Sequence, residues 1–167
     1  MAQESLNFKI HNSFFIETMH ATLLNRLDKI LIFLQIILGS AVFAAYGSSP
    51  LFGFLITVIA AFSFVWQPAK SALAHDLQAK KMKTLITNQS TFTDADLLAK
   101  YSKAEETDNA VIGSLLSAAH KRALIAIGHT AAANKITLTP VEKLFAWLAG
   151  DLPPDTLSDD EQKNQIN

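Results

Sequence analysis

The sequence predicts an all-α protein built on a two-helix transmembrane hairpin, with helical extensions and a small cytoplasmic helical region. Two observations support this prediction. Two uncharged apolar runs, at about residues 30–46 and 51–66, are separated only by the turn sequence GSSP. Outside these runs, apolar residues recur at helical spacings of three and four, and no stretch shows the alternation that a half-buried strand would have.

Each apolar run is slightly shorter than the roughly 20 residues that fill a hydrocarbon core of about 30 Å. Each run nevertheless contains ten Leu, Ile, Phe or Val residues, and each such residue favours insertion by about 0.3–0.6 kcal/mol. Because a bilayer offers no partner to backbone polar groups, both runs are expected to be helices. The alternative is a soluble bundle that buries a short apolar hairpin in its core.

Basic residues flank the predicted hairpin, whereas its turn carries no charge. Arg26 and Lys29 precede the first span, and Lys70 follows the second. Because Lys and Arg remain on the cytoplasmic side of a membrane, both termini are expected in the cytoplasm of a multi-pass protein of the bacterial inner membrane. Three further lysines are expected to contact anionic lipid headgroups: Lys80, Lys81 and Lys83.

The segments next to the spans are also expected to be helical. Residues 5–29 form an amphipathic helix that runs into the first span, with one face made of Ile16, Met19, Leu23, Leu27 and Ile30. Beyond Trp66 the second span should continue, because a looser apolar stripe follows at Ala69, Leu73, Leu77, Met82 and Leu85. Pro68 should bend this helix, since proline removes a backbone hydrogen bond.

The chain divides into three predicted parts. Residues 1–88 form the hairpin with its flanking helices, residues 89–154 form a cytoplasmic helical region, and residues 155–167 form a disordered acidic tail. The cytoplasmic part follows a loop at residues 87–91 and contains three predicted helices. The first runs from the N-cap Thr93 to about Glu105, and the second covers residues 111–127, with Lys121 and Arg122 opposite its apolar face. The third begins with the sequence TPVE at residues 139–142 and ends at Gly150.

No residue pattern in the chain points to catalysis, to a cofactor or to a metal. The sequence has no Cys and contains no GxSxG, GxxxxGK[ST], GxGxxG or HExxH motif. None of the five histidines is three or four residues from another, so we expect them to be solvated or interfacial. A net charge of −1 argues against a nucleic-acid surface. A non-enzymatic protein is therefore expected.

Gln35 is the one strongly polar side chain within a predicted span. It lies at nearly the same depth as Ser63, so it either joins the two helices by a hydrogen bond or lines a pore in an oligomer. Small residues form faces on both spans that would permit close helix packing. These candidate packing or pore-lining positions are Ser40 and Ala44 on the first span and Gly53, Thr57 and Ala61 on the second. The expected partners are the lipid bilayer and further copies of this chain.

The layout of residues 6–86, an amphipathic helix followed by two closely spaced spans and a helical extension, resembles that of the SLATT-type two-transmembrane proteins of bacterial conflict systems. The stretch LTPVEKLFAWLAGDLPP, residues 138–154, is similar to the ends of small membrane proteins encoded in prophages. The first resemblance implies a pore-forming effector in defence, exclusion or lysis control. The alternative is a membrane-anchored adaptor whose helices around residues 111–127 and 141–148 dock a cytoplasmic protein.

Overall fold

The computed structural model describes residues 2–43, 49–106 and 109–154. These residues form helices and connecting turns with no strand among them, which confirms the all-α prediction. The predicted tail at residues 155–167 and the candidate Ala44 lie outside the described residues. The helices are α1 (Ala2–Phe43), α2 (Ser49–Trp66), α3 (Pro68–Thr87), α4 (Asp94–Glu105), α5 (Leu116–Ala126), α6 (Thr130–Asn134) and α7 (Pro140–Leu148), with short 3-10 turns at Gln89–Thr91 and Gly113–Leu115.

α1 is the longest helix, and the other elements are arranged around it. Its 42 residues span about 63 Å at 1.5 Å per residue. It packs against α3 and contacts α2, α5 and α7 as well. Residues 44–48, which include the end of the first predicted span and half of the predicted turn, lie outside the described residues, whereas Ser49 and Pro50 of that turn already belong to α2. Proline is well tolerated in a first helical turn, since the N–H that it lacks has no intrahelical partner there.

Two hydrophobic cores hold the helices beside the first part of α1. The first lies where α5, the 3-10 turn before it and α7 meet α1, and it contains Met19, Leu23, Leu115, Ala118, Ala119, Leu138, Ala146 and Ala149. The second lies near the start of α1, where α3 and α4 meet it, and it contains Leu6, Ile10, Met82, Leu85, Leu97, Tyr101 and Ala104. We call these helices, with α1 up to Leu27, the packed half.

The structure confirms the predicted N-caps of two helices of the packed half. Thr93 accepts a hydrogen bond from the Asp96 N–H at the start of α4. Thr139 and Glu142 form the expected capping box of α7. At the other end of α7, Arg26 Nη1 donates to the carbonyl oxygens of Trp147 and Leu148 at 3.2 and 2.9 Å. A cation at these carbonyls stabilises a helix C-terminus.

Two predicted helix faces are only partly correct. On α3, Leu73 and Leu77 of the predicted stripe are 58% and 52% exposed, whereas its members Met82 and Leu85 are buried. The rest of the buried face consists of Pro68, Ala72, His75, Gln78 and Ala79, so α3 packs partly through small and polar side chains.

The second face is that of α5, which begins at Leu116 rather than near residue 111. Its predicted members Ala119 and Ala123 are buried, but Lys121, expected opposite the apolar face, is buried as well.

Candidate functional site

A continuous set of exposed apolar side chains covers the second part of α1 and all of α2. We call it the apolar band: Ile30, Ile32, Phe33, Leu34, Ile36 and Ile37 on α1, and Leu51, Phe54, Leu55, Val58, Phe62, Phe64, Val65 and Trp66 on α2. Residues 50–87 make one helical stretch long and apolar enough to cross a membrane, and none of its most apolar window is buried inside the protein. Soluble monomers rarely expose so many large apolar residues together.

Gln35 lies on the less exposed side of α1 within the apolar band, as does Ser63 on α2. The hydrogen bond considered between them is not formed. Ser63 Oγ is shielded from solvent and has no hydrogen-bond partner in the described part of the chain.

The small residues predicted for close packing leave room around them. A Cβ added at Gly53 would meet no atom within 4 Å among the described residues, so α1 does not approach α2 closely there. Thr57 and Ala61 are exposed, as is Ser40 on α1. The hydroxyls of Thr57 and Ser40 donate to the carbonyls of Gly53 and Ile36, each at 2.9 Å. Packing between the described parts of α1 and α2 therefore does not use these small residues.

The three lysines predicted to contact headgroups lie in the second part of α3 and are all exposed. Lys80 Nζ donates to Asp76 Oδ2 at 2.7 Å. Lys81 lines a shallow pocket together with Lys100 and Lys103 of α4. Lys80 is 14 residues beyond Trp66, about 21 Å along a helix. The basic residue nearest the end of the apolar band on this side is instead Lys70, at the start of α3.

The α2–α3 junction consists of Gln67 and Pro68. Gln67 has φ 48° and ψ 56°, a left-handed conformation that costs a residue with a Cβ roughly 1–2 kcal/mol. The right-handed helical conformation is disfavoured before proline. The helix is thus interrupted at Gln67, next to the proline at which a bend is predicted. Gln67 N–H still donates to the Ser63 carbonyl at 3.0 Å, and Ser71 N–H donates to the Gln67 carbonyl at 3.1 Å.

A buried polar cluster lies between the two cores, close to the α2–α3 junction. His75 Nδ1 is 2.7 Å from Glu17 Oε2, and both side chains are almost completely buried. The His20 ring stacks on the His75 ring with centroids 4.9 Å apart. Asn109 Nδ2 donates to Glu17 Oε2 at 3.4 Å. The expectation that the histidines are solvated or interfacial is therefore wrong for His20 and His75.

The hydrogen bonds of His20 determine its tautomer. Its Nδ1 is 2.7 Å from the Ile16 carbonyl, which can only accept, so Nδ1 carries the proton. The backbone N–H of Ile112 donates to Nε2 at 2.6 Å, which requires this nitrogen to be unprotonated. Burial lowers the pKa of His20 below its ordinary value, and the positive charge that His75 can carry lowers it further. A neutral His20 therefore holds the segment before α5 against α1.

A cavity of about 440 Å³ lies beside the α2–α3 junction. Its wall includes Trp66, Gln67 and Lys70 from the junction region, His75 from α3, and residues 109–112. The cavity therefore connects the end of the apolar band with the buried polar cluster. No group of three or more metal-ligating side chains occurs among residues 2–43, 49–106 and 109–154.

The site residues of the polar cluster could not be recognised from sequence. Glu17 and His75 are 58 positions apart, and no motif marks them as partners. The only signal available was His20, which is four residues after Ile16 and therefore lies beside the predicted apolar face of α1. Comparison with family models, with curated proteins and with solved structures found no match to this chain.

Proposed function

We propose that this chain is a non-enzymatic, integral inner-membrane protein of bacterial or prophage origin that inserts its apolar band and acts on the bilayer through self-association. The observation that supports this most strongly is the complete lack of burial in the apolar window of α2. α2 has 18 residues, about 27 Å of helix, close to the thickness of a hydrocarbon core of about 30 Å. The second part of α1 supplies the other span of the proposed hairpin.

Self-association is favoured by the surface that α2 leaves open. Gly53 has space for a side chain, and Thr57 and Ala61 face outward. In a membrane, helices associate through small residues that let their backbones approach closely. A second copy of this chain is the simplest partner for such a face, and two helices from a single chain cannot enclose a pore. The proposed activity is membrane permeabilisation by an oligomer, as the SLATT-type resemblance implies.

The adaptor function remains the second candidate, and the exposed side chains favour α7 as its docking surface. In the predicted docking segment at residues 111–127, Leu115, Ala119 and Ala123 are buried against neighbouring helices, and the exposed large apolar side chains are Val111 and Leu116. α7 keeps three exposed apolar side chains along nine residues: Val141, Leu144 and Trp147. A cytoplasmic partner would therefore find the larger apolar face on α7.

Topology is tested by reporter fusions. Fusions after Lys83 and at Asn167 should report the cytoplasm, and a tag inserted at Ser48 should be labelled from the periplasm. The protein should remain in the membrane fraction after alkaline extraction. A periplasmic C-terminus would contradict the hairpin, and recovery without detergent would contradict insertion.

Activity is tested by dye release from liposomes that contain the purified protein. Release supports the effector, whereas vesicles that stay tight favour the adaptor. Gly53→Leu should reduce both release and crosslinked oligomers, since the added side chain meets no described atom of its own chain. Gly39→Leu is the matched control, because Gly39 also has open space but belongs to neither small face. Gln35→Leu should abolish release but leave the oligomers if a polar ring lines the pore.

A further inference from the structure

α7 exposes an apolar face that no described residue covers. Val141, Leu144 and Trp147 follow one another at intervals of three residues and are 57%, 53% and 63% exposed. Leu152, just beyond the helix, is 46% exposed. The opposite side of α7 is well packed, since Ala146 is completely buried in the first core. One side of α7 is therefore packed in the first core, and its large apolar face is turned away from the protein.

The attachment of α7 to α1 places this face next to the apolar band. Arg26 holds the carbonyls of Trp147 and Leu148, and a Cβ added at Gly150 would lie only 2.9 Å from Arg26 Nη2. The exposed band begins at Ile30, four residues or about 6 Å further along α1. The C-terminal end of α7 is thus anchored about one helical turn from where α1 would enter the membrane.

The chemistry of the face suits the boundary of a bilayer. α7 has nine residues, about 13 Å of helix, which is too short to span a membrane. Tryptophan is enriched at membrane interfaces, and short amphipathic helices lie in the interface plane with their apolar side in the acyl boundary. Residues 155–167 offer a poor cover for this face, because they contain four acidic residues and only two large apolar ones, Leu157 and Ile166.

We propose that α7 is an interfacial helix that lies on the lipid surface from which α1 enters, with Leu144 and Trp147 inserted among the lipids. This inference rests on the proposed membrane insertion of the apolar band. It adds a second, lateral membrane contact, which would fix the orientation of the packed half relative to the bilayer.

The chain has two tryptophans, Trp66 and Trp147, which permit a test that separates the two proposals. Trp66→Phe leaves Trp147 as the only tryptophan, and Trp147→Phe leaves Trp66. Each variant is reconstituted in phosphatidylcholine and phosphatidylglycerol vesicles that carry a doxyl quencher either near the headgroup or deep in the acyl chain. We expect Trp147 to be quenched strongly by the shallow label and weakly by the deep one, and Trp66 to be quenched by lipid labels as well.

The inference is overturned if lipid labels quench the fluorescence of Trp66 but not that of Trp147. Quenching of Trp147 by aqueous iodide would then show that it faces water, and protection from iodide would show that the tail or a second copy covers it; both results contradict the inference. If neither tryptophan is quenched, the membrane proposal itself fails. Leu144→Glu in the Trp66→Phe background should reduce lipid quenching of Trp147. Leu98→Glu is the matched control, because Leu98 on α4 is equally exposed at 54% but belongs to the second core's side of the molecule. It should leave the quenching unchanged.

Discussion

The two parts of α1 differ in the side chains that they leave exposed. In the packed half, α1 buries the apolar residue Met19 and also the polar residues Glu17 and His20, which are 3% and 0% exposed. In the apolar band, Phe33 and Ile36 are each 61% exposed. Buried polar groups require hydrogen-bond partners, and exposed apolar groups are unfavourable in water. The contrast supports the proposal that only the apolar band lies in the membrane.

The largest expected effect comes from placing charge in the apolar band. Ile36→Arg and Val58→Arg should each oppose insertion by about 2.5–3.5 kcal/mol, so the double variant should lose about 5–7 kcal/mol. The protein should leave the membrane fraction or be degraded. Leu77→Arg and Leu98→Arg are controls, since these side chains have similar exposure, 52% and 54%, in the packed half. If all the variants are recovered in the membrane fraction in equal amounts, the apolar band does not differ from the packed half in its contact with the membrane.

The next largest effect is expected in the buried polar cluster. Glu17→Leu leaves His75 buried without its carboxylate, and breaking a buried pair in this way costs about 3–5 kcal/mol. The loss should appear in the thermal unfolding of the detergent-solubilised protein, followed by circular dichroism. Glu17→Gln should lose less, because the amide oxygen still accepts the hydrogen bond from His75. If the two variants unfold at the same temperature, the pair does not stabilise the packed half as we infer.

A smaller effect is expected at Gly150, where α7 meets Arg26. Its φ of 79° disfavours any other residue by roughly 1 kcal/mol, and an added Cβ would also displace the Arg26 guanidinium. Gly150→Ala should therefore destabilise the protein more than Gly128→Ala. Gly128 has a similar φ of 84° but open space around it. The difference in unfolding free energy between the two variants measures the contribution of the close contact with Arg26. If the two variants lose the same unfolding free energy, Arg26 can move aside without destabilising the protein.

The smallest effect is a pH dependence centred on His20. Its pKa is lowered in the folded protein, chiefly by burial, so the unfolded chain binds a proton first as the pH falls below about 6.5. The stability that neutral His20 provides is therefore present above that pH and is lost progressively as the pH falls towards the folded pKa. Protonation of Nε2 also removes the acceptor of the Ile112 N–H. Hydrogen exchange at Ile112, corrected for the intrinsic pH dependence of exchange, should show more frequent opening at pH 5 than at pH 7.

His120→Gln provides the control for this titration, since His120 is exposed and its ring contacts the Phe8 ring, away from the buried cluster. It should leave the pH dependence at Ile112 intact, whereas His20→Leu should remove it. A pH dependence that survives in His20→Leu would assign the effect to another group of the cluster.

Local chemistry explains which features could be predicted from sequence. The N-caps Thr93 and Thr139, the interruption at Pro68 and the apolar runs each depend on a few neighbouring residues, and the structure has them where the patterns indicated. Glu17 and His75 could not be paired in advance because their contact depends on how α3 lies along α1. The same applies to Lys121, whose burial follows from packing and not from the periodicity of α5.

The two chain segments that join the packed half to the apolar band differ in stiffness. α1 passes from one to the other as an unbroken helix, whereas the return path is interrupted at Gln67. Under the proposed insertion, a change in tilt of the apolar band would be transmitted to the packed half by α1, while the return path would pivot at Gln67. That pivot adjoins the cavity wall formed by residues 109–112, which His20 holds through Ile112. The relative movement of the two paths would therefore be taken up beside this cavity.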